Sequence, residues 1–318
     1  MFDFKIDNNI KKEKELKELY DVLIIGGGPG AVNAAIYGAR NGLSVLIVTA
    51  DKGGQLLNTK TIDNYLGFYD VSGEELSNHF YDHLNNFDVD LIFYNFVEKL
   101  SKVDELFEAS LSDERLIKAK TVIMATGGNP RKLGVKGEKE LTGRGVSYCV
   151  ICDGPFYVGK EVIVVGGGNS ALEAALDLSK YAKSVHLVQI MDRFTGDKVL
   201  IDKVFETKNI TYQFNSEVVE IKGDNGIDSI VIKNDEKLSE KKIEGIFVEI
   251  GIIPNSSLVT NLVELNNFKE IITNINQETS LKGLYAIGDV TNFPYKQVIT
   301  AASQGAVAAL SINKYLNK

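Results

Sequence analysis

The chain has 318 residues, which is room for about two domains, each with a hydrophobic core of its own. Its composition, 44% hydrophobic and 25% charged with a mean hydropathy of −0.04, is that of a globular protein and excludes a disordered or membrane-spanning chain. The formal net charge of −8 disfavours a nucleic-acid binder, and the lack of an apolar leader predicts a cytoplasmic protein without membrane contact.

Two similar βαβ units follow an N-terminal arm. Residues 1–19 are rich in lysine and glutamate and predict a solvated arm or helix. Residues 20–50 predict a buried strand, a glycine turn, a helix with small residues on one face, and a second buried strand. Residues 160–190 align with them without a gap and repeat this order. The predicted strands are Val22–Ile25, Val45–Val48, Val162–Val165 and Val185–Val188.

The glycines of both copies fall between the first strand and the helix, where a Gly-x-Gly-x-x-Gly/Ala motif binds dinucleotides. One glycine permits the tight turn, the next lets backbone approach a pyrophosphate, and alanine keeps the helix close to the sheet. A single glycine motif could be a tight turn that binds no ligand, but two such motifs at matching positions are harder to explain in that way. The pattern therefore predicts two bound dinucleotides. The residues are Gly26, Gly28 and Ala31 in the first copy and Gly166, Gly168 and Ala171 in the second.

Two breaks rich in glycine, proline and polar residues set the predicted domain boundaries. Gly127–Pro130 ends one apolar strand and Pro254–Ser256 ends another. We interpret them as two crossings of one hinge, with residues 131–253 inserted into a domain formed by residues 1–130 and 254–318. The predicted fold class is α/β, with two Rossmann-like, three-layer dinucleotide-binding domains, the second inserted into the first.

The chain contains two cysteines, Cys149 and Cys152, in one Cys-x-x-Cys sequence. A structural disulfide there would close too small a loop to stabilise the fold much. A zinc site would need further ligands, and His79, His83 and His186 are not at zinc-ligand spacing from the pair. Beside two nucleotide sites, thiol–disulfide exchange is the favoured interpretation.

Asp153 directly follows the second cysteine. A carboxyl at this position could move protons during thiol–disulfide exchange. It could equally cap the Asp-Gly-Pro turn that begins there, and the local sequence leaves both roles open.

The motifs occur in an order that resembles one enzyme family. From the N-terminus they are GGGPGA, GGQL, ATG, SYCVICDGPFY, VVGGGNSA, YAIGDV and YKQV. This order resembles the low-molecular-weight thioredoxin reductases and the reductase portion of the alkyl hydroperoxide reductase flavoprotein, from about residue 18 to the end. The resemblance implies an FAD-dependent thioredoxin-disulfide reductase that is a homodimer and uses NADH or NADPH. Its partner would be thioredoxin or a thioredoxin/glutaredoxin-like protein.

The resemblance implies an FAD site in the first domain and the C-terminal segment. The motif glycines would lie near the pyrophosphate, and Asp51 is a candidate for the adenosine ribose hydroxyl. Asp289 would meet the ribityl or phosphate region, and Lys296–Val298 would lie near the isoalloxazine. The implied FAD residues are Gly26, Gly28, Pro29, Gly30, Asp51, Gly54, Gln55, Asn64, Ala125, Thr126, Gly127, Gly288, Asp289, Lys296, Gln297 and Val298.

The resemblance also assigns roles in electron transfer. By matching position, Cys152 would receive electrons from the reduced flavin, Cys149 would attack the thioredoxin disulfide, and Asp153 would act as acid and base. The inserted domain would have to rotate, as in the family, because the cysteine pair and the nicotinamide must both reach the flavin.

The electron donor is the least determined part of this interpretation. NADPH-using members carry a His-Arg-Arg stretch for the 2′-phosphate, whereas this chain has Gln189, Ile190 and Met191 there. Gln189 could hydrogen-bond a ribose 2′-hydroxyl, so we rank NADH first, NADPH second, and a ferredoxin or reduced flavin third. The expected pyridine-nucleotide residues are Gly166, Gly168, Asn169, Ser170 and Gln189.

Three other functions stay open at this point. The acceptor could be the carrier of a peroxiredoxin system, reduced with NADH. The chain could be a flavin-bearing redox sensor that docks to a partner according to the state of its cysteines. A ferredoxin–NADP reductase on the same fold would not need the cysteines that this chain has.

Overall fold

The computed structural model describes residues 16–59 and 62–317, which form two compact units. The first unit contains the described residues up to Leu57, Gly73–Gly127 and the segment from Pro254 onward. The second contains Asn58–Ser72 and Gly128–Ile253. Most of the predicted N-terminal arm, residues 1–15, lies outside the described residues. The segment Asn58–Ser72, which sequence analysis grouped with the FAD domain, belongs to the second unit.

A mainly parallel sheet forms the core of the first unit. Numbered along the whole chain, its strands are β1 (Tyr20–Ile25), β2 (Val45–Thr49), β3 (Val89–Phe93), β4 (Val97–Val103), β5 (Leu106–Leu111), β6 (Leu116–Met124) and β17 (Leu284–Ala286). Their order is β3-β2-β1-β6-β5-β4, and β17 also pairs with β6. β3, β2, β1, β6 and β17 run parallel, whereas β4 and β5 form antiparallel pairs. Because β1 and β2 are almost wholly buried, their sequences are nearly continuous apolar runs.

Two helices of the first unit approach each other closely. Helices α1 (Pro29–Arg40), α2 (Gly73–Leu84) and α7 (Val298–Leu316) belong to this unit. Gly305 of α7 lies so close to α1 that a Cβ on it would overlap the carbonyl oxygen of Gly30. The Asn33 side chain donates to the Ala302 carbonyl oxygen at 2.7 Å across the same contact. The start of α1 is therefore fixed against α7.

The second unit contains a parallel sheet and a smaller antiparallel one. The parallel order is β11-β10-β9-β15-β8, the antiparallel order is β12-β13-β14, and β7 pairs with β16. These strands are β7 (Gly128–Pro130), β8 (Val146–Ser147), β9 (Glu161–Val165), β10 (Ser184–Val188), β11 (Ile210–Gln213), β12 (Ser216–Lys222), β13 (Ser229–Asn234), β14 (Lys237–Lys242), β15 (Gly245–Val248) and β16 (Ile252–Pro254), the last of which ends at the unit boundary. The helices are α3 (Glu138–Leu141), α4 (Val150–Asp153), α5 (Asn169–Ser179) and α6 (Lys198–Glu206).

The predicted repeat is present as β1-α1-β2 in one unit and β9-α5-β10 in the other. The α/β class with two Rossmann-like units is confirmed. Each parallel sheet is packed by apolar clusters, with Leu23 and Leu46 in the first unit and Val164 and Leu187 in the second. Over the residues that the structure describes, none of the helices combines the length and apolar character needed to cross a bilayer.

Candidate active site

The glycine turn after β1 leads directly into α1. Gly26 has a φ of 121°, and a Cβ on it would overlap the Ala125 carbonyl oxygen, so both its conformation and its neighbour require glycine. Gly28 is the N-cap of α1 and makes no side-chain cap. The nearest atom to a Cβ built on Gly28 is the Gly53 carbonyl oxygen at 3.9 Å. The turn therefore leaves room beside the first amides of α1, where a phosphate group would fit.

Asp51 shapes the segment that runs beside this turn. Its Oδ1 accepts the Gly54 amide at 2.6 Å, which fixes the start of the 3-10 turn Gly54–Asn58. The Thr49 hydroxyl donates to the Asp51 carbonyl oxygen at 2.8 Å. An ionised carboxylate can accept more hydrogen bonds than the one that Gly54 donates, so Asp51 could also bind a ribose hydroxyl. That role stays a prediction.

A buried amide group marks the C-terminal part of the site. Gln304 is 6% exposed, and its Oε1 accepts the Gly288 amide at 2.6 Å. Its Nε2 is buried and, among the described residues, has no hydrogen-bond partner. A buried donor without an acceptor is unfavourable by about 1–3 kcal/mol. An acceptor atom of a cofactor lying along Gly288 would satisfy it, so the residues here fit such a group.

Charged side chains follow the same segment. Burial raises the pKa of the Asp289 carboxyl, and the positive charge of Lys296 opposes that rise. The Lys296 ammonium forms a largely buried ion pair with Glu270, with Nζ and Oε1 at 3.0 Å. The Gln297 side chain begins α7 through a capping box with Thr300.

The first sheet gathers most of the predicted FAD residues at one edge. β2, β1, β6 and β17 are parallel, so their carboxyl ends meet at the edge where open α/β sheets bind ligands. Thr126 and Asn255 exchange two hydrogen bonds of 2.8 and 2.9 Å beside this edge. Asn64 lies instead in the segment that belongs to the second unit, and Gln55 is exposed. The edge residues are Gly26, Gly28, Pro29, Gly30, Asp51, Gly54, Ala125, Thr126, Gly127, Gly288 and Asp289, and the start of α7 adds Gln297 and Val298.

The second glycine turn reproduces the first. Gly166 has a φ of 137°, and a Cβ on it would overlap the Glu249 carbonyl oxygen. Gly168 is the N-cap of α5 without a side-chain cap. Asn169 holds the loop before α6: its Oδ1 accepts the Asp197 amide at 2.7 Å and its Nδ2 donates to the Asp197 carboxylate at 3.0 Å. Ser170 is exposed at the start of α5.

Gln189, the residue predicted to contact the ribose, forms hydrogen bonds within the loop after β10. Gln189 is 6% exposed, its Nε2 donates to the Arg193 carbonyl oxygen at 3.1 Å, and its Oε1 accepts the Ile190 amide at 3.1 Å. The Arg193 guanidinium lies 3.3 Å from the carboxylate of the adjacent Asp192. The contacts of Gln189 are therefore internal, and its contact with a ribose stays a prediction.

The cysteine pair lies at the start of α4. Cys149 and Cys152 form a disulfide, and both are partly exposed. Cys149 is the N-cap of α4, and its Sγ accepts the Cys152 amide at 3.2 Å. Ile151, between the cysteines, is 60% exposed and Phe156 is 47% exposed. The pair is thus presented among apolar side chains that a protein substrate could cover.

Asp153 is connected to the pair through Ser147. The Ser147 hydroxyl donates to the Asp153 carboxylate at 2.6 Å and accepts the Cys149 amide at 3.1 Å. Asp153 makes no side-chain cap on the turn that follows it. Burial raises the pKa of the Asp153 carboxyl, while the Ser147 hydrogen bond opposes the rise. A carboxyl with a raised pKa holds its proton more readily than an ordinary one, which suits a group that gives and takes protons.

Sequence reasoning missed Gln304 in the proposed FAD site and missed Ser147 and Glu249 near the cysteine pair. Ser147 comes two residues before Cys149, but nothing in the sequence says where its hydroxyl points. Burial raises the pKa of Glu249, which directly follows β15, to about 8. Its one sequence signal is a lone acidic residue that ends an apolar strand.

The histidines take no part in these sites. His79 and His83 lie on α2, and His186 lies in β10 with its Nδ1 2.7 Å from the Thr211 hydroxyl. Burial lowers the pKa of His186 to about 4. In the described part of the chain, no cluster of three or more His, Cys, Asp or Glu side chains is arranged to hold a metal ion.

Two glycine turns of the nucleotide-binding type and one disulfide are the main features of the candidate site. Residues 20–305 match the family model described as pyridine nucleotide-disulphide oxidoreductase. The chain belongs to this family. The oxidoreductase is 39% identical over 302 residues to an NADH dehydrogenase of Bacillus subtilis strain 168, covering 94% of this chain and 59% of that protein. It is 38% identical over 306 residues to the F component of the alkyl hydroperoxide reductase of Staphylococcus aureus strain MRSA252, covering 96% of this chain and 60% of that protein.

Solved structures agree over a larger share of their length. A thioredoxin reductase from Streptococcus pyogenes MGAS5005 has 37% sequence identity and a TM-score of 0.90, covering 95% of this chain and 99% of that one. A thioredoxin reductase from Giardia duodenalis has 30% identity and a TM-score of 0.90, covering 95% and 100%. The resemblance predicted from the motifs is confirmed. The oxidoreductase spans about three fifths of the length of the curated relatives that it matches.

Proposed function

We propose that this oxidoreductase passes electrons from a nicotinamide nucleotide, through bound FAD and the Cys149–Cys152 pair, to the disulfide of a thioredoxin-like protein. The observation that carries the proposal is the partly exposed disulfide, held beside a half-buried carboxyl in a unit with a nucleotide-type glycine turn. The similar solved structures named thioredoxin reductase support it. Action as a homodimer and in the cytoplasm remains part of the proposal.

The first unit fits FAD. The open turn at Gly28 would accept the pyrophosphate, and the unpartnered Gln304 amide would donate to the cofactor beside Gly288. Lys296 would bring a positive charge near the ring, already balanced by Glu270. When bound, FAD would relay an electron pair between the nicotinamide and the disulfide.

The chain's own residues account for exchange with the carrier. In the reduced protein, the Cys152 amide that Cys149 Sγ accepts here would stabilise the Cys149 thiolate. That thiolate attacks the carrier disulfide, so a mixed disulfide forms and one carrier sulfur leaves as a thiolate that takes up a proton. Cys152 then attacks Cys149 Sγ, which restores the protein disulfide and releases the second carrier sulfur. Asp153 accepts the proton of the Cys152 thiol and can pass it to a departing sulfur.

The loop after β10 favours NADH over NADPH. Ile190 is 66% exposed and Met191 is 44% exposed at the positions where a 2′-phosphate would need cations. Arg193 is paired with Asp192, whose carboxylate would repel a phosphate. A ribose 2′-hydroxyl needs only a neutral hydrogen-bond partner, so this surface suits NADH better.

Anaerobic titration of the flavin-loaded protein tests the donor. We expect NADH to bleach the flavin absorbance completely, and NADPH to do so with at least a tenfold higher apparent dissociation constant, equivalent to about 1.4 kcal/mol. Equal response to both donors would overturn the NADH preference. No response to either would overturn the nicotinamide donor and leave a ferredoxin or reduced flavin as the source.

The cysteine variants test the route of electrons. Cys149→Ser should keep flavin reduction by the donor but lose thioredoxin reduction. Cys152→Ser should trap a mixed disulfide between Cys149 and the carrier, visible by mass spectrometry. Normal carrier reduction by either variant would contradict the proposal.

A second acceptor can be tested in the same assay. The similarity to a component of alkyl hydroperoxide reductase favours a carrier that belongs to a peroxide-reducing system. Comparing thioredoxin with such a carrier, each supplied as a separate protein, decides between them by the ratio of their kcat/KM values.

A further inference from the structure

The register of two strands directs Glu249 toward the turn that carries the cysteine pair. β15 and β8 are parallel neighbours in which Ile246 is opposite Val146 and Phe247 is opposite Ser147. Two residues beyond the last pair, one chain reaches Glu249 and the other reaches Cys149. β8 ends at Ser147, and this register directs Glu249 toward the turn that carries Cys149.

The backbone and the carboxyl of Glu249 are both held in this place. Its amide donates to the Val165 carbonyl oxygen at 2.8 Å, and its own carbonyl oxygen packs against Gly166. The Val150 amide is the hydrogen-bond donor that faces the Glu249 carboxyl. Because Val150 directly follows Cys149, the carboxyl contacts the backbone of the redox turn itself.

No cation balances this carboxyl within the described residues. The cysteine turn presents Asp153 and the two sulfurs, and β8 is followed by Tyr148, whose pKa is raised to about 12 by burial. β9 ends in Val165 and an uncharged glycine turn. Arg131 donates its amide to the Gly251 carbonyl oxygen at 2.9 Å, but its guanidinium forms no ion pair with Glu249. Burial therefore acts unopposed by a positive charge, and the pKa of Glu249 rises to about 8.

We propose that Glu249 is a positioning residue whose charge state controls thiolate formation at the Cys149–Cys152 pair. When protonated, the Glu249 carboxyl accepts the Val150 amide and adds no negative charge that would destabilise a Cys149 thiolate. When ionised, it places a second negative charge beside the pair and raises the pKa of the Cys149 thiol. The coupling is reciprocal, so thiolate formation in turn favours the protonated carboxyl. The inference rests on the proposed function only in taking the pair to be redox-active.

The experiment follows alkylation of the reduced pair. The full-length, flavin-loaded protein is reduced with dithiothreitol, freed of reductant, and treated with iodoacetamide between about pH 6 and about pH 10, with modification at each cysteine measured by mass spectrometry. Glu249→Gln keeps an oxygen that can accept the Val150 amide but cannot ionise. Glu244→Gln is the matched control, because Glu244 is exposed just before β15 and accepts the Glu161 amide. Neither NADH nor a carrier protein is needed, so failure of the proposed function leaves this readout intact.

In wild type and Glu244→Gln, the alkylation rate of Cys149 should rise gradually with pH and reach its plateau only at high pH, because the ionisations of Cys149 and Glu249 are coupled. Glu249→Gln should lose the part of this broadening that comes from Glu249, with alkylation roughly twofold or more faster near pH 9 for a coupling of about one pKa unit. Superimposable wild-type and Glu249→Gln profiles would overturn the proposal, as would a rate change by the same factor at every pH.

A measurement on wild type guards against a variant that does not fold. The infrared difference spectrum between the disulfide and dithiol states should contain a protonated-carboxyl band at about pH 7.5 that persists in Asp153→Asn, because the pair and the Glu249 carboxyl are coupled. A spectrum without any carboxyl band contradicts the coupling.

Discussion

A single hydroxyl connects the proposed acid to the sulfur pair. Ser147 donates to Asp153 and accepts the Cys149 amide, so one side chain sets both the position of the carboxyl and the start of α4. Its hydrogen bond lowers the pKa of Asp153, while burial raises it more strongly. The acid strength of Asp153 is therefore set by two opposing contributions, its burial and the Ser147 hydrogen bond.

Ser147→Ala should shift the pH dependence of carrier reduction. Without the hydroxyl, burial raises the pKa of Asp153 unopposed, so the acidic limb of the kcat profile should move to higher pH. The measurement is steady-state turnover against pH. Ser179→Ala, which removes a hydroxyl that bonds the Leu176 carbonyl oxygen within α5, is the control. An unchanged profile would disconnect Ser147 from the acid.

Glu249 should make the fold less stable as the pH rises. Its folded pKa of about 8 lies above the ordinary value of 4.5, so the folded state binds more protons between these values. The contribution is fully present below about pH 4.5 and is lost as the pH rises through about 8. Denaturant unfolding at about pH 5 and about pH 8 should show a loss of a few kcal/mol at most, absent in Glu249→Gln. If Glu249→Gln loses the same amount of unfolding free energy between these pH values, the loss comes from other titrating groups.

At the scale of elements, two helices set the width of the first nucleotide turn. α1 carries Gly30 and α7 carries Gly305, and their backbones approach where neither residue has a side chain. The same stretch of α7 carries Gln304, which bonds Gly288. A change in the distance between the helices would therefore move both sides of the proposed FAD site.

Gly305→Ala should lower both stability and flavin retention. The added methyl would overlap the Gly30 carbonyl oxygen, and separating two packed helices costs about 1–3 kcal/mol. Thermal unfolding and the ratio of flavin to protein after gel filtration measure the two effects. Ser303→Ala is the control, because Ser303 is exposed on the same helix. Full flavin content with an unchanged Tm would show that the helices tolerate the methyl.

At the scale of the whole molecule, the chain leaves the first unit after Gly127 and returns to it at Pro254. Asn255 donates its amide to the Gly127 carbonyl oxygen at 2.9 Å, and its side chain donates to the Thr126 carbonyl oxygen at 2.9 Å. The Thr126 hydroxyl donates back at 2.8 Å. These bonds tie the outgoing and returning segments together at the predicted hinge.

Asn255→Ala should lower turnover without loss of the flavin. If the inserted domain rotates as the resemblance implies, removing the side chain frees the two connecting segments, so productive arrangements become less populated and kcat should fall roughly two- to tenfold. Carrier reduction and flavin content are measured together. Asn317→Ala, at the end of α7, is the control, because it removes an amide that bonds only within the last turn of that helix. Wild-type turnover in Asn255→Ala would show that these hydrogen bonds do not guide the predicted domain rotation.

Local patterns allowed the α/β class and the repeat to be predicted. Buried parallel strands require apolar runs, and a strand that turns directly into a helix beside a neighbouring backbone requires glycine, as Gly26 and Gly166 show. The Cys-x-x-Cys sequence identified Cys149 and Cys152 because one helical turn brings residues three apart close together, here to a Cα–Cα distance of 5.3 Å at the start of α4. Each of these requirements acts between residues that are close along the chain.

Contacts between distant residues were decided only by the tertiary structure. Glu249 faces the Val150 amide because β15 pairs with β8 in one register, and Gln304 accepts the Gly288 amide because α7 returns to the first sheet. Asn64 lies in the segment that packs with the second unit, which its sequence neighbours did not indicate. The sequence by itself determined which backbone conformations and redox groups are present. Strand register and helix packing determined which charges surround them, because burial and electrostatic coupling depend on distance in space and not along the chain.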